Sequence, residues 1–145
     1  MGDIAMSVRN LTPLYRLSAP NHPSSPRACR DAIGALLDAR GHSSLTDTVK
    51  LLVSEAVTNV HLHALATRTI HIDVLVQHDT ALVVVKDNDP QEHPFRRPAD
   101  PDDEGGRGLL LMEQLAFAWG VGWSDGPNPT RKHIWFEVRA PEKGA

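Results

Sequence analysis

The sequence predicts an α+β domain in which helices cover one face of a mixed, mostly antiparallel sheet. Three observations carry that expectation. A segment of period-two alternation, Thr69–Gln77, and a β-branched run, Ala81–Lys86, lie next to each other, joined by a short turn. Two segments of helical period lie together ahead of that pair, and a third follows it before a closing alternating segment, His133–Arg139. The resulting order, β-α-α-β-β-loop-α-turn-β, groups helices between hairpins instead of alternating them strictly with strands, which is the pattern of a two-layer α+β sandwich.

Taken in order, residues 1–12 are poorly patterned and read as a loose arm, 13–140 as a single domain, and 141–145 as a tail. Leu14–Leu17 alternates as a short strand. The stretch APNHPSSP, with three prolines, reads as irregular and leads into a helix over Arg27–Ala39, whose apolar positions are Ala28, Ala32, Ala35, Leu36 and Ala39. Gly41 suits the left-handed residue that ends a helix. Ser44 or Thr46 is expected to cap the next helix, which runs to about Ala64. Its stripe of Val49, Val53, Ala56, Val57, Val60 and Ala64 spans about 120 degrees of the helical wheel. QHDT joins the hairpin strands, and the proline-rich acidic segment His93–Asp103 reads as a surface loop. A third helix is expected from Leu109 to about Trp119, with a further short strand near Val121–Trp123 and a turn at SDGPNPT.

Composition bounds the function. With 41% hydrophobic and 23% charged residues in 145, the chain can build one core. The net charge of −3 gives no general attraction to nucleic acid or to an anionic membrane. No apolar run approaches the roughly 20 residues of a membrane span, and the first residues lack the apolar centre of a secretory signal. Gly2 is not followed by the Ser or Thr that myristoylation needs, since Met6 stands there. The lone Cys29 cannot form an internal disulfide and fits a reducing compartment, so a cytoplasmic protein is expected. Eight histidines raise the question of a metal, but His61 and His63 point about 200 degrees apart on their helix and no HExxH or paired-cysteine motif exists. His63, inside the apolar stripe, reads as a core histidine, and Trp119, Trp123 and Trp135 read as packing residues.

Three segments carry chemistry. In SEAVTNVHLHA (Ser54–Ala64), Glu55 and Asn59 lie one helical turn apart, with Asn59 about 40 degrees further round, at the border of the apolar stripe. A neutral amide oxygen there suits Mg²⁺, a hard cation that keeps most of its waters; a neighbouring carboxylate can orient a hydroxyl. In VVVKDNDP a strand runs into Asp87, which can accept a hydrogen bond from an exocyclic amine such as that of adenine. In EGGRGLLLMEQL, Gly105, Gly106 and Gly108 precede a helix, so backbone amides can approach a phosphate. No GK[ST] follows and no βαβ unit surrounds it, so it is neither a P-loop nor a dinucleotide fingerprint. Each segment alone has an ordinary structural explanation: a solvated helix face, a turn before proline, a hinge.

Together, in this order, they resemble the N, G1 and G2 boxes of the GHKL (histidine-kinase-like) ATPases, and in particular the bacterial anti-sigma-factor serine/threonine kinases. SEAVTNVHLHA is similar to the N box, KDNDP to G1 and GGRGLLL to G2; Trp119-Gly120-Val121 and Lys132 with IWFEV resemble the closing strands. The resemblance covers roughly Leu14–Val138 and implies the Bergerat fold, ATP and Mg²⁺ as cofactors, and phosphorylation of a STAS-type anti-anti-sigma partner alongside sequestration of a sigma factor. It implies that Glu55 is the general base, that Asn59 is a ligand of Mg²⁺ and that Asp87 binds the adenine amine. Gly106, Arg107, Gly108 and Leu109 would enclose the phosphates beneath a lid, Arg107 as a cation or as a solvated lid side chain. Homodimerisation is common in that family, and no direct contact with nucleic acid or membrane is implied.

The sequence departs from that pattern at three places, the first being a lid segment that is short and rich in proline. Asp89 stands where Gly or Ser is usual, and Arg131-Lys132-His133 replaces a Gly-Lys-Thr pattern, so that a small residue and a hydroxyl useful near adenine are both lost. The rival expectation is therefore a non-catalytic module of the same fold that holds a regulatory partner with weak or no nucleotide binding.

Overall fold

The computed structural model describes residues 15–64, 66–87, 104–123 (side chains from 110 onward) and 132–141. Its elements are β1 (Tyr15–Pro20), α1 (Ser25–Ala39), α2 (Ser43–His63), β2 (Thr69–Gln77), β3 (Thr80–Asp87), α3 (Glu104–Leu115), β4 (Ala118–Trp123) and β5 (Lys132–Arg139). The five strands form one sheet in the order β1-β2-β3-β5-β4. Every described pair is antiparallel, so the mixed pairing expected from the sequence does not occur among them.

Burial separates the two sheet faces. Ile72 and Val85 stand opposite each other, as do Val74 and Val83, Val85 and Ile134, and Val83 and Phe136. All six are buried and join one core with Leu45, Val49, Leu52, Val53 and Val57 of α2. Residues on the reverse face are polar at its β1 side: the Asp73 carboxylate lies 2.7 Å from Lys86 Nζ and 3.5 Å from Arg16 Nε. The central strand β3 is buried at every position from Ala81 to Val85, as a strand with neighbours on both sides should be.

Helix α1 starts earlier than expected, because Pro26 occupies the first turn, where a missing N–H costs nothing. Its buried residues are Ser25, Cys29, Ile33, Gly34 and Leu37, whereas Ala28, Ala32, Ala35 and Ala39 face solvent. The expected alanine stripe is thus on the wrong side: two faces of this helix are apolar by pattern, and the one with larger side chains removes more area from water. The helix ends as expected at Gly41, whose φ is 79°. The Gly41 N–H donates to the Asp38 carbonyl and the His42 N–H to the Leu37 carbonyl, a Schellman closure. Neither Ser44 nor Thr46 caps α2; His42 occupies that position, and the Thr46 hydroxyl instead donates to Asp38 at 2.7 Å, tying α2 to α1. The stripe predicted for α2 is buried throughout, from Val49 to Ala64, and Leu45 and Leu52 widen it.

Between β2 and β3 the turn is His78-Asp79, with His78 at a φ of 53°. Helix α3 covers Glu104–Leu115, so the glycines at 105, 106 and 108 lie inside its first turns and not in a loop ahead of it. The chain expected to continue as helix to Trp119 is instead β4 from Ala118. Two alternate positions of β4 are glycine because β5 fills the space above them. A Cβ at Gly120 would lie 2.8 Å from the Trp135 ring, and one at Gly122 would lie 2.6 Å from the His133 ring. No described helix is long and apolar enough to cross a membrane.

Candidate nucleotide site

The cleft that matters lies where α2 crosses the end of β3 and the beginning of β5. Its described lining is Ala56, Asn59 and Val60 from α2, Asp87 from β3, Val121 from β4, and Lys132 and Ile134 from β5. Each arrives there by the periodicity of its element. Ala56 and Val60 are core positions of α2, and Asn59 sits about 100 degrees round the helix from Val60, at the edge of that stripe. Asp87 follows Val85 by two residues, so it shares the face that turns toward the helices. Lys132 stands opposite Asp87 in the β3–β5 register and shares that face with Ile134.

Asp87 is only 2% exposed. An isolated carboxylate removed from water to that degree is costly. Here Lys132 offsets the charge: its ammonium lies 3.6 Å from Asp87 Oδ2, and its own side chain is 10% exposed. The pair is the only charge in an otherwise apolar described lining, with the Asn59 amide as the third polar group. The space between the cleft's atoms is about 320 Å³ when the open mouth and the solvent in it are included, and the enclosed part is only about 20 Å³. The closed part is narrow, so a base would fill the mouth as well as the floor.

Of the residues singled out from sequence, Asn59 and Asp87 therefore meet at one cleft. Glu55 is half-buried one turn before Asn59 and is not part of the described lining. Gly106, Arg107, Gly108 and Leu109 lie in the first turns of α3, which packs beside α2; their side chains are outside the described residues. Asp89, Arg131 and the lid segment 93–103 lie outside them too. His133, the second member of the altered motif, is on the opposite sheet face, over Gly122, so its imidazole does not enter the cleft. Burial, and then the positive charge of Lys86 opposite it, hold its pKa below the ordinary 6.5. Lys132 was not among the site residues expected from the sequence, yet it lines the cleft. Its signal is the alternation of β5, which puts Lys132 on the same face as Ile134, Phe136 and Val138.

The donor set fits a magnesium nucleotide. A neutral amide oxygen at the cleft edge suits a hard cation already held by phosphates and water, and a buried acceptor at the floor suits an amine. Among the described residues no group of three His, Cys, Asp or Glu could hold a metal ion by itself. His61 is occupied otherwise: the Asn21 amide donates to the Ala64 and Thr67 carbonyls, so its oxygen accepts from His61 Nδ1 at 2.8 Å.

The fold and this cleft define a class. The chain matches the model of the histidine kinase-like ATPase domain over residues 19–130, and it belongs to that family. Among solved structures it is similar to a chain of the SiaB-SiaC complex from Pseudomonas aeruginosa, at 13% identity and a TM-score of 0.60, covering 95% of this chain and 96% of that one. It also matches the Acinetobacter baumannii histidine kinase AdeS at 9% identity and a TM-score of 0.42, covering 94% and 73%. No curated protein matches the sequence. The first likeness extends to the fold: a sheet with helices, α+β, of the histidine-kinase-like ATPase type.

Proposed function

We propose that this chain is an ATP-binding regulatory kinase of the cytoplasm. In this reading it phosphorylates a serine or threonine on a STAS-type anti-anti-sigma partner and sequesters a sigma factor as the other arm of the switch. The observation that carries it is the meeting of Asn59, from the helix layer, with Asp87, from the sheet, at one cleft. The family supports nucleotide use. That a similar chain was solved within a complex of two proteins supports looking for a protein partner.

Phosphoryl transfer asks a protein mainly for positioning and for neutralisation of charge. Bound Mg²⁺ would supply part of that neutralisation. Asp87 accepts a hydrogen bond from the adenine amine and fixes the base. The Asn59 amide would hold the phosphate end by offering a neutral oxygen to the cation. Backbone amides in the first turns of α3 face negative charge favourably. Glu55, on the outer side of Asn59, accepts the proton of the partner's hydroxyl as its oxygen attacks the γ-phosphorus and the bond to ADP breaks. Its half-buried place outside the cleft lining suits a group that must meet a second protein.

The same place also favours the rival reading, a nucleotide-binding or nucleotide-free module that holds a partner without catalysis. One experiment separates them. Mg-ATP should raise the melting temperature of the chain, and label from γ-phosphate-labelled ATP should pass to a STAS partner in a manner lost in Glu55→Gln. Absence of any thermal shift at millimolar nucleotide removes the kinase reading. A shift without transfer to any STAS partner leaves the binding module.

A further inference from the structure

Asp87 does not face the cleft alone, and its companion has chemistry of its own to offer. Lys132 lies directly across the β3–β5 register, on the same face, and both side chains line the cleft. We infer that Lys132 determines base specificity: the Asp87–Lys132 pair reads the edge of adenine as a unit, Asp87 accepting from the exocyclic amine and Lys132 donating to the ring nitrogen N1 beside it. This rests on the nucleotide reading above and adds to it the residue that tells one base from another.

The chemistry is complementary in sign and order. An ionised carboxylate only accepts hydrogen bonds, and an ammonium only donates, with three N–H groups. Lys132 can therefore keep its attraction to Asp87 and still serve a second acceptor. The 3.6 Å between Nζ and Oδ2 sets a donor beside an acceptor, at a spacing within reach of two neighbouring groups on a base edge. Adenine presents the matching sequence, a donor amine next to an acceptor nitrogen. Guanine in the same place presents the reverse, so that its O6 would meet the carboxylate and its N1–H the ammonium. Beyond the pair and Asn59, the described wall is Ala56, Val60, Val121 and Ile134. Carbon there suits the C2–H of adenine and leaves the 2-amino group of guanine without an acceptor, which is the strongest kind of discrimination a buried site exerts. Burial sharpens the effect, since water competes weakly at a carboxylate 2% exposed.

The test uses the full chain and calorimetric titration with Mg-ADP, Mg-GDP and the Mg complex of 1-deazaadenosine diphosphate, in which N1 is replaced by C–H. The expected result is that the intact protein binds ADP at least about tenfold more tightly than the 1-deaza analogue, the loss of one hydrogen bond to a charged group, and binds GDP more weakly still. In Lys132→Met, ADP and the 1-deaza analogue should bind within about twofold of each other, because no donor remains to tell them apart. Equal affinity of the intact protein for ADP and the 1-deaza analogue overturns the inference while leaving nucleotide binding in place; so does GDP binding as tightly as ADP. A Lys132→Met protein that still prefers ADP tenfold also overturns it. If no nucleotide binds the intact chain, the nucleotide reading itself is wrong and the inference falls with it. Should Lys132→Met fail to fold, the comparison of the three ligands on the intact protein decides alone.

Discussion

Asn59 and His133 show how much a single position can be asked to explain. Asn59 owes its place to being one step off the apolar stripe of α2, where the helix turns from core to cleft. Under the proposed function it touches the cation and nothing of the base. Asn59→Ala should therefore leave the melting temperature of the free protein nearly unchanged but abolish the shift produced by Mg-ATP. Ligand at a hundred times its dissociation constant would otherwise stabilise the fold by about 2.7 kcal/mol, which thermal melts read directly. His133 tests the fold in a different way. Burial first, and Lys86 second, lower its pKa in the folded chain, so the unfolded chain takes up the proton more readily. Well above pH 6.5 both states are neutral there and the residue contributes no slope. As pH falls from 6.5 toward the lower folded value, the unfolded state gains protons first and stability drops. His133→Gln should flatten that part of the stability curve, measured by denaturant melts from pH 7.5 down to about 5.

At the scale of elements, the sequence was most legible where pattern and burial demand agree. The α2 stripe and the β2–β3 hairpin were recognisable because their apolar residues are β-branched or large and recur at one period. Asn59 and Asp87 could be singled out as candidates because each stands at a fixed step from such a pattern, and the fold brings both to one cleft. In α1 the pattern was ambiguous, since alanines and larger residues both recur at helical steps; tertiary packing chose Cys29, Ile33 and Leu37. Strand β4 was harder still. Its reverse face carries Gly120 and Gly122, so the alternation that marks a strand has no side chains on that side, and the reason lies in Trp135 and His133 of another strand. The Asp87–Lys132 pairing is likewise a property of register and could not be read from either segment alone. Two substitutions check this account. Gly120→Ala should destabilise by about 1–3 kcal/mol, because the new Cβ overpacks against the indole of Trp135. Gly41→Ala should cost about 1 kcal/mol through the left-handed backbone alone, as no atom of the fold obstructs a Cβ at that position. Both can be measured by urea melts.

For the whole molecule, one core serves the helices and the sheet together. Phe136 on β5 is fully buried within it, in the same cluster as α2 residues Val49 and Val53 and β3 residue Val83. Phe136→Ala should cost about 3–5 kcal/mol, visible as loss of cooperative unfolding or a much lower midpoint. The same variant should weaken nucleotide binding although Phe136 does not line the cleft, because β5 also carries Lys132 and Ile134.

The strand order has a bearing on how the protein comes into being. Because β5 is inserted between β3 and β4, the sheet stays split into two unjoined parts until residues beyond 132 are available to bridge them. A ribosome-bound chain that has released everything up to β4 therefore holds Asn59 and Asp87 but no finished floor for a base. Under the proposed function, competence to hold a nucleotide would arise in one late event, when β5 docks, and a chain clipped ahead of β5 would bind none instead of binding weakly.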